Sequence, residues 1–392
     1  MASYRVAIIG TGRMGGFIDD EIADASFSKP YSHFGAYQAI PETDVVAVAN
    51  RGEERLKRFA DRFGVPAEKT YLDYREMIER EKPDIVSVTT PTFARTEPIV
   101  FAAEHGVRGI YAEKGLAPSL EESDRIAAAI RKHNVAFNWG AMRRHHSGYI
   151  QLQDAISRGE IGTPRYAAMY FFTDLITHHP HTLDTVSMLL GDPVPEWVEG
   201  RLIEPGAGKP HGGEGDDAGV RRTRDVGDRE AQAMRRPLPA YDREKKRFVP
   251  PEGEVYASPY PGFFRVGYRG GMEASFGPYG RLDVDVVGTE GRASAWDNSQ
   301  LFRTWRPGKS ARGSVAESAA SEQTFTPQGE SPTVCTIRDI IRQLETGERT
   351  KGNIDVTMQS VEVQFGLVES HLRGGARVTL PTQDRAVYIP GR

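Results

Sequence analysis

Residues 5–15 read RVAIIGTGRMG, a β-branched apolar run that passes straight into glycines at 10, 12 and 15. A short apolar run bounded by glycine reads as a buried strand, and the glycine spacing limits what can follow it. Gly10 permits a tight turn, Gly12 lets the backbone approach a pyrophosphate, and Gly15 lets the next element pack closely, with a helix N-terminus facing the phosphates. The alternation downstream agrees. Strand-like runs recur at 45–50 (VVAVAN), 84–90 (DIVSVTT), 108–114 (RGIYAEK) and 135–142 (VAFNWGAM), and helical apolar spacing fills 53–63, 96–105 and 120–133 between them. The last helix opens with Ser119 and Glu122 in capping-box register after Pro118. Strand and helix in strict alternation predict a parallel, doubly wound sheet.

The second half reads differently. A helix over 148–158 precedes a strand at 165–172, and a second helix over 180–190 has Pro180 at its first position and Gly191 as its stop. Runs at 263–270, 272–277, 281–288 and 292–297 then follow one another without helices, which predicts antiparallel pairing. A closing helix over 355–373 leads to the extended ARVTLP. The expected class is α/β: an N-terminal doubly wound Rossmann domain over 1–138, and a C-terminal α+β domain over 139–392 with an open, mostly antiparallel sheet. Two stretches interrupt this plan. Residues 199–260, rich in Gly, Arg, Asp and Pro, predict a long loop or arm, and 17–33 wedge an acidic insert (Asp19, Asp20, Glu21, Asp24) behind the glycine loop.

Three clusters carry candidate chemistry. The end of the second strand, where an acidic residue reads the ribose of NAD, holds Asn50 followed by Arg51, a pair that tolerates a 2′-phosphate and tips the cofactor from NAD towards NADP. Arg51 stacking on adenine is the alternative. Lys114 ends a predicted central strand, where an open parallel sheet presents ligand-binding groups, and its ammonium could polarise a carbonyl or alkoxide oxygen. The densest cluster is THHPHTLDTVSMLLG, residues 177–191, with His178, His179, His181 and Asp184. His181 and Asp184 are three apart on one helix face, so the carboxylate could orient the imidazole as a general base. No metal site is expected, because no HExxH spacing or second carboxylate accompanies the histidines and Pro180 breaks the local geometry. Arg143, Arg144, His145 and His146, just after the last strand of the first domain, would line the inter-domain cleft, with a basic solvated turn as the equal alternative.

Composition removes several classes of partner. Fifty Lys and Arg against 54 Asp and Glu leave a formal charge of -4, with no basic excess for a nucleic-acid backbone. No apolar run approaches the roughly 20 residues that span a bilayer. A lone cysteine, Cys335, excludes an internal disulfide or a cysteine metal cage and fits a cytoplasmic location. Residues 1–3 run straight into the first strand, so no cleavable leader is expected. A small-molecule partner remains.

In their order along the chain these motifs resemble the Gfo/Idh/MocA family of nicotinamide-dependent oxidoreductases. GTGRMG resembles its glycine loop, DIVSVTTPT its strand ending in Thr-Pro, AEKG its Glu-Lys-Pro signature with Gly115 in place of proline, and HTLDTVSMLLG its His-x-x-Asp helix; VVGTEGRA and LVESHLRGGARVTLP resemble its sheet turn and terminal tail. The resemblance implies an NAD(P)-dependent oxidoreductase acting on a CH–OH group of a sugar, polyol or glycoside. It implies Lys114 and His181 as catalytic residues with Asp184 beside them. Cofactor contacts would come from Gly10, Gly12, Arg13, Met14, Gly15, Asn50, Arg51, Thr90, Pro91, Glu113 and Lys114, and substrate contacts from Arg144, Thr177, His178, His181 and Asp184. A homodimer or homotetramer through the C-terminal sheet is also implied. One departure stands out: the family's aspartate four residues before the histidine is Thr177 here, which carries no charge. A redox-neutral glycoside hydrolase or lyase acting through a transient keto-sugar, and an inactive dinucleotide-binding protein, are the alternative readings.

Overall fold

A computed structural model of the chain describes residues 4–22, 28–203, 239–252, 255–308 and 321–391. Six strands, β1 (Tyr4–Ile9), β2 (Thr43–Ala49), β3 (Thr70–Tyr71), β4 (Ile85–Val88), β5 (Gly109–Ala112) and β6 (Ala136–Trp139), form one parallel sheet in the order β3-β2-β1-β4-β5-β6. Val6, Ala7 and Ile8 are all fully buried, as a strand covered on both faces requires. The connections run through α1 (His33–Gln38), α2 (Glu53–Phe63), α3 (Tyr74–Glu81), α4 (Thr96–Glu104) and α5 (Leu120–Lys132). Local chemistry sets their limits. The α2 helix opens on Glu53 and Glu54 and stops at Gly64 in the left-handed region, and Ser119 caps α5 by accepting the Glu122 N–H at 3.2 Å. The strand order reverses between β1 and β4, so a crevice opens at their C-terminal ends.

The second sheet has nine strands: β7 (Pro164–Phe171), β8 (Pro195–Leu202), β11 (Pro261–Tyr268), β12 (Glu273–Gly277), β13 (Arg281–Gly288), β14 (Arg292–Trp296), β15 (Leu301–Arg306), β16 (Ser321–Phe325) and β17 (Val378–Thr379). Their order is β16-β15-β14-β13-β7-β12-β11-β8-β17, and every neighbouring pair is antiparallel except β7 with β12. The open, mostly antiparallel sheet expected from the sequence is therefore present. Three helices, α6 (Ser147–Ser157), α7 (His179–Leu189) and α9 (Ile354–Leu372), pack with it. The remaining helix, α8 (Pro332–Thr346), returns to the parallel sheet, where Val334, Ile337, Ile340 and Ile341 pack with Tyr37, Ile85, Tyr111 and Ala136. Among the described residues no helix is long and apolar enough to cross a membrane.

Three local expectations change. Residues 199–202 are not loop but the end of β8, where the alternation of Val198 and Leu202 buries one face. Within the same stretch β9 (Ala240–Asp242) and β10 (Arg247–Val249) pair as a hairpin, while 204–238 and 253–254 lie outside the described residues. The glycine loop does not enter a long helix either. A single five-residue turn, Arg13–Phe17, follows it, then a short 3₁₀ turn, and α1 begins only at His33. The described part of the acidic insert closes on itself: the Asp19 carboxylate accepts the N–H groups of Tyr31 and Ser32. Residues 23–27 of that insert, Asp24 included, are outside the described residues.

Candidate active site

The glycine loop is built by close backbone approach. Gly10 has φ +104°, and a Cβ there would stand 2.6 Å from the Thr89 hydroxyl; a Cβ at Gly15 would stand 2.3 Å from the Gly10 carbonyl oxygen. Only glycine fits either position. A Cβ at Gly12, by contrast, would meet nothing within 4 Å, because that side of the loop faces an open groove. The groove is continuous along the strand ends. A cavity of about 920 Å³ bordered by Asn50, Arg51 and Tyr74 adjoins one of about 420 Å³ bordered by Arg13, Met14, Lys114, Thr177 and His178, and Gly12, Arg55, Arg58 and residues 89–91 border both. Thr11 also borders it, with a buried hydroxyl that has no hydrogen-bond partner among the described residues.

At the end of β5 the charges are layered. Glu113 is 3% exposed, its Oε1 3.2 Å from His33 Nε2 and its Oε2 accepting the Lys114 N–H at 3.2 Å. Burial would raise this carboxyl, but the His33 hydrogen bond and the charges of Lys114 and Arg95 outweigh it and hold Glu113 at about 2. His33 stacks on Tyr111 with ring centroids 4.0 Å apart and meets Ser87 Oγ through Nδ1 at 2.9 Å. Lys114 borders the groove. Burial lowers its ammonium from the usual lysine range, against the pull of Glu113 and Asp174. Arg95 ties two loops together by donating to the carbonyls of Gly115 and Thr90. Burial brings its guanidinium down to about 10. Gly115, where proline was expected from the family signature, packs so tightly that a Cβ would sit 2.5 Å from the Ile176 carbonyl oxygen.

The segment leading into α7 faces Lys114 from the other domain. Asp174 Oδ2 lies 2.7 Å from His178 Nδ1, and Oδ1 accepts the Thr177 N–H at 2.7 Å. Burial would raise Asp174, yet the hydrogen bond and charge of His178 hold it well below the usual carboxylate range. His181 is driven far below its ordinary range by burial, then by Arg143 and Lys114, and among the described residues its Nδ1 has no hydrogen-bond partner.

Residues 4–141 match the family model described as "Oxidoreductase family, NAD-binding Rossmann fold", GFO_IDH_MocA. The match to the Gfo/Idh/MocA model is confined to these residues. The sequence is 31% identical over 163 residues to scyllo-inositol 2-dehydrogenase (NAD(+)) of Bacillus subtilis, covering 41% of this chain and 42% of that one. It is 34% identical over 137 residues to a dTDP-3,4-didehydro-2,6-dideoxy-alpha-D-glucose 3-reductase of Actinomadura kijaniata, covering 35% of this chain and 40% of that one. The chain thus aligns with about two fifths of the length of these curated relatives. The fold is shared further: the aldose-aldose oxidoreductase of Caulobacter crescentus superposes with a TM-score of 0.67 at 16% identity, covering 96% of this chain and 100% of that one.

The structure brings Gly10, Gly12, Arg13, Met14, Asn50, Arg51, Thr90, Pro91, Glu113, Lys114, Thr177 and His178 to the groove, with Gly15 buried beneath the loop. Arg144, His181 and Asp184 do not border either cavity. The expected bond from Asp184 to His181 is not formed; Asp184 Oδ1 instead accepts from Arg144 Nε at 2.7 Å, and Arg144 reaches Asp192 at 2.6 and 2.9 Å. A fixed guanidinium satisfies the buried carboxylate better than an imidazole that would have to be charged to do so. Arg144 is therefore engaged in buried ion pairs with Asp184 and Asp192 and away from the two cavities. His145, also buried, borders Asp339 at 3.7 Å, while burial lowers its imidazole to about 4. Among the described residues no group of three potential ligands is arranged for a metal. Sequence reasoning missed Asp174, His33 and Arg95. Asp174 alone had a local signal, a carboxylate four positions before His178 in DLITHH.

Proposed function

We propose that the protein is an NAD(P)-dependent oxidoreductase acting on a CH–OH group of a sugar or polyol. The observation that carries this reading is the groove that runs from Asn50 and Arg51, past the open face of Gly12, to Lys114 and the histidine segment opposite it. The residues fit a dinucleotide: Gly12 leaves room for the pyrophosphate, the unpartnered Thr11 hydroxyl supplies a donor, and the Thr90-Pro91 turn borders the same groove. When bound, the nicotinamide supplies hydride acceptance or donation. The chain's own residues hold the substrate oxygen beside the Lys114 ammonium, which favours an alkoxide, and take up its proton on a histidine at the head of α7. The named activities of the inositol dehydrogenase and sugar reductase relatives agree with this substrate class.

NADP is the favoured dinucleotide. Arg51, Arg55 and Arg58 border the Asn50 end, none forms an ion pair among the described residues, and Asn50 Nδ2 donates to the Gly52 carbonyl instead of presenting a carboxylate to a ribose. The exposed face of the nine-stranded sheet carries Phe263, 60% exposed, with Tyr170 and Val287, which supports a homo-oligomer through that sheet. A cytoplasmic location fits the single cysteine. The test is incubation with NAD or NADP and a panel of sugars, polyols and glycosides, following reduced nicotinamide and product mass together. Reduced cofactor with a product two hydrogens lighter upholds the reading. Cleaved glycoside without reduced cofactor would replace it with redox-neutral cleavage.

A further inference from the structure

Beyond β17 the chain returns to the base of the groove, and residues 385–391 are tied to both halves of the molecule. The Arg385 guanidinium meets Asp124 of α5 at 2.7 and 2.5 Å and pairs with Glu362 of α9, while its carbonyl accepts the Glu121 N–H at 3.0 Å. Tyr388 donates its N–H to the Lys246 carbonyl of the β9–β10 hairpin and accepts the Phe248 N–H, both at 2.9 Å. The Ile389 N–H then donates to the Pro118 carbonyl at 2.8 Å, and the Pro390 carbonyl accepts the Ala257 N–H at 2.9 Å. Two glycines meet one side chain where this path ends. A Cβ at Gly391 would stand 2.7 Å from Ile176 Cγ2, and a Cβ at Gly115 would stand 2.9 Å from the same carbon. Ile176 is fully buried, so it has no room to give way. Gly115 directly follows Lys114, and Ile176 comes two residues before His178, both of which border the groove.

Resting on the oxidoreductase reading above, we infer that residues 385–391 are a strap that sets the separation between the Lys114 loop and the segment before α7, with Gly391 as a positioning residue acting through Ile176. Arg385 anchors the strap to both domains, through Asp124 and Glu362. Gly115 and Gly391 then leave Ile176 a single place to sit, which fixes the two faces of the groove at their base. Displacing reacting groups by about 1 Å costs on the order of 100-fold in rate, so such a seam governs turnover without touching dinucleotide or substrate. Neither Gly391 nor Arg385 borders either cavity.

Gly391→Val in the full chain tests this. In hydrogen exchange followed by mass spectrometry without substrate, peptides covering 114–118 and 174–178 are expected to exchange about tenfold faster or more, while β1 and β4 stay within about twofold of wild type. With a polyol that is turned over, kcat is expected to fall about tenfold or more and KM for the dinucleotide to stay within about threefold. Ile176→Ala removes the carbon that the new side chain meets, so Gly391→Val/Ile176→Ala is expected to turn over faster than Gly391→Val alone. Arg385→Met cuts the anchor from a partly exposed position and is expected to speed exchange in the same two peptides, which keeps the test intact if Gly391→Val does not fold. Wild-type exchange in both peptides, exchange that rises equally along the whole chain, or a double variant no faster than Gly391→Val overturns the strap. If no sugar or polyol is oxidised or reduced, the oxidoreductase reading fails, while faster exchange confined to the two peptides still upholds the strap as the seam of the groove.

Discussion

Arg144→Met removes the cation from a buried ion pair while keeping most of the stem volume. Arg144 and Asp184 have side chains 4% and 0% exposed, joined at 2.7 Å, so the variant strands a carboxylate with no water to solvate it. Breaking such a pair from one side costs about 3–5 kcal/mol. The cost must depend on pH. Even with Arg144 present, burial pushes the Asp184 carboxyl up to about 6, and without the guanidinium only the Trp139 side chain opposes that rise, while the charge of Asp192 adds to it. A carboxyl whose folded value lies above its unfolded value binds its proton more tightly when folded, so the protein loses stability as pH climbs from the unfolded value towards the folded one, by about 1.4 kcal/mol for each unit of separation. Chemical denaturation at pH 8 is expected to show the full loss, and at pH 4, where Asp184 is protonated when folded and about half protonated when unfolded, a much smaller one. Arg144→Met/Asp184→Asn, which leaves no charge behind, is expected to recover stability at pH 8. A loss below about 1 kcal/mol at pH 8, or one that grows towards acid, would refute the assignment of Arg144 to structure.

Lys114→Met is expected to lower turnover at least about 100-fold while the dinucleotide dissociation constant, followed by fluorescence titration, changes less than about threefold. Arg51→Ala is expected to weaken NADP about tenfold or more and NAD by less than about threefold; equal losses would mean adenine stacking. Gly115→Ala places a Cβ 2.5 Å from the Ile176 carbonyl oxygen, so a stability loss of about 1–3 kcal/mol together with a fall in kcat is expected. Phe263→Lys puts charge on the open sheet face and is expected to shift light-scattering mass towards the monomer; an unchanged oligomer would move the interface elsewhere.

The parallel half was legible because its signals are local. The α2 helix lies where apolar spacing and Gly64 place it, 53–63, and α5 begins after its Ser119 cap. The α8 helix escaped because its apolar stripe of Val334, Ile337, Ile340 and Ile341 follows a polar stretch and its role appears only when it lands on a sheet built some 200 residues earlier. The groove residues split in the same way. Gly10, Gly12 and Lys114 are marked by strand and turn, whereas His33 and Arg95 acquire their roles from partners brought in by folding: Glu113 for His33, and the Gly115 and Thr90 carbonyls for Arg95.

Backbone conformation is decided over a few residues, by steric limits at glycine and by the period of apolar side chains, so the strands, the glycine loop and the position of Lys114 could be read from the chain alone. Charge pairing is decided by distance and burial in three dimensions. Asp184 sits three residues from His181 on one helix yet pairs with Arg144, 40 residues away, because a buried carboxylate is stabilised most by a permanent, geometrically matched cation. That Asp184 meets Arg144 and not His181 was settled only when α7 packed against the turn after β6.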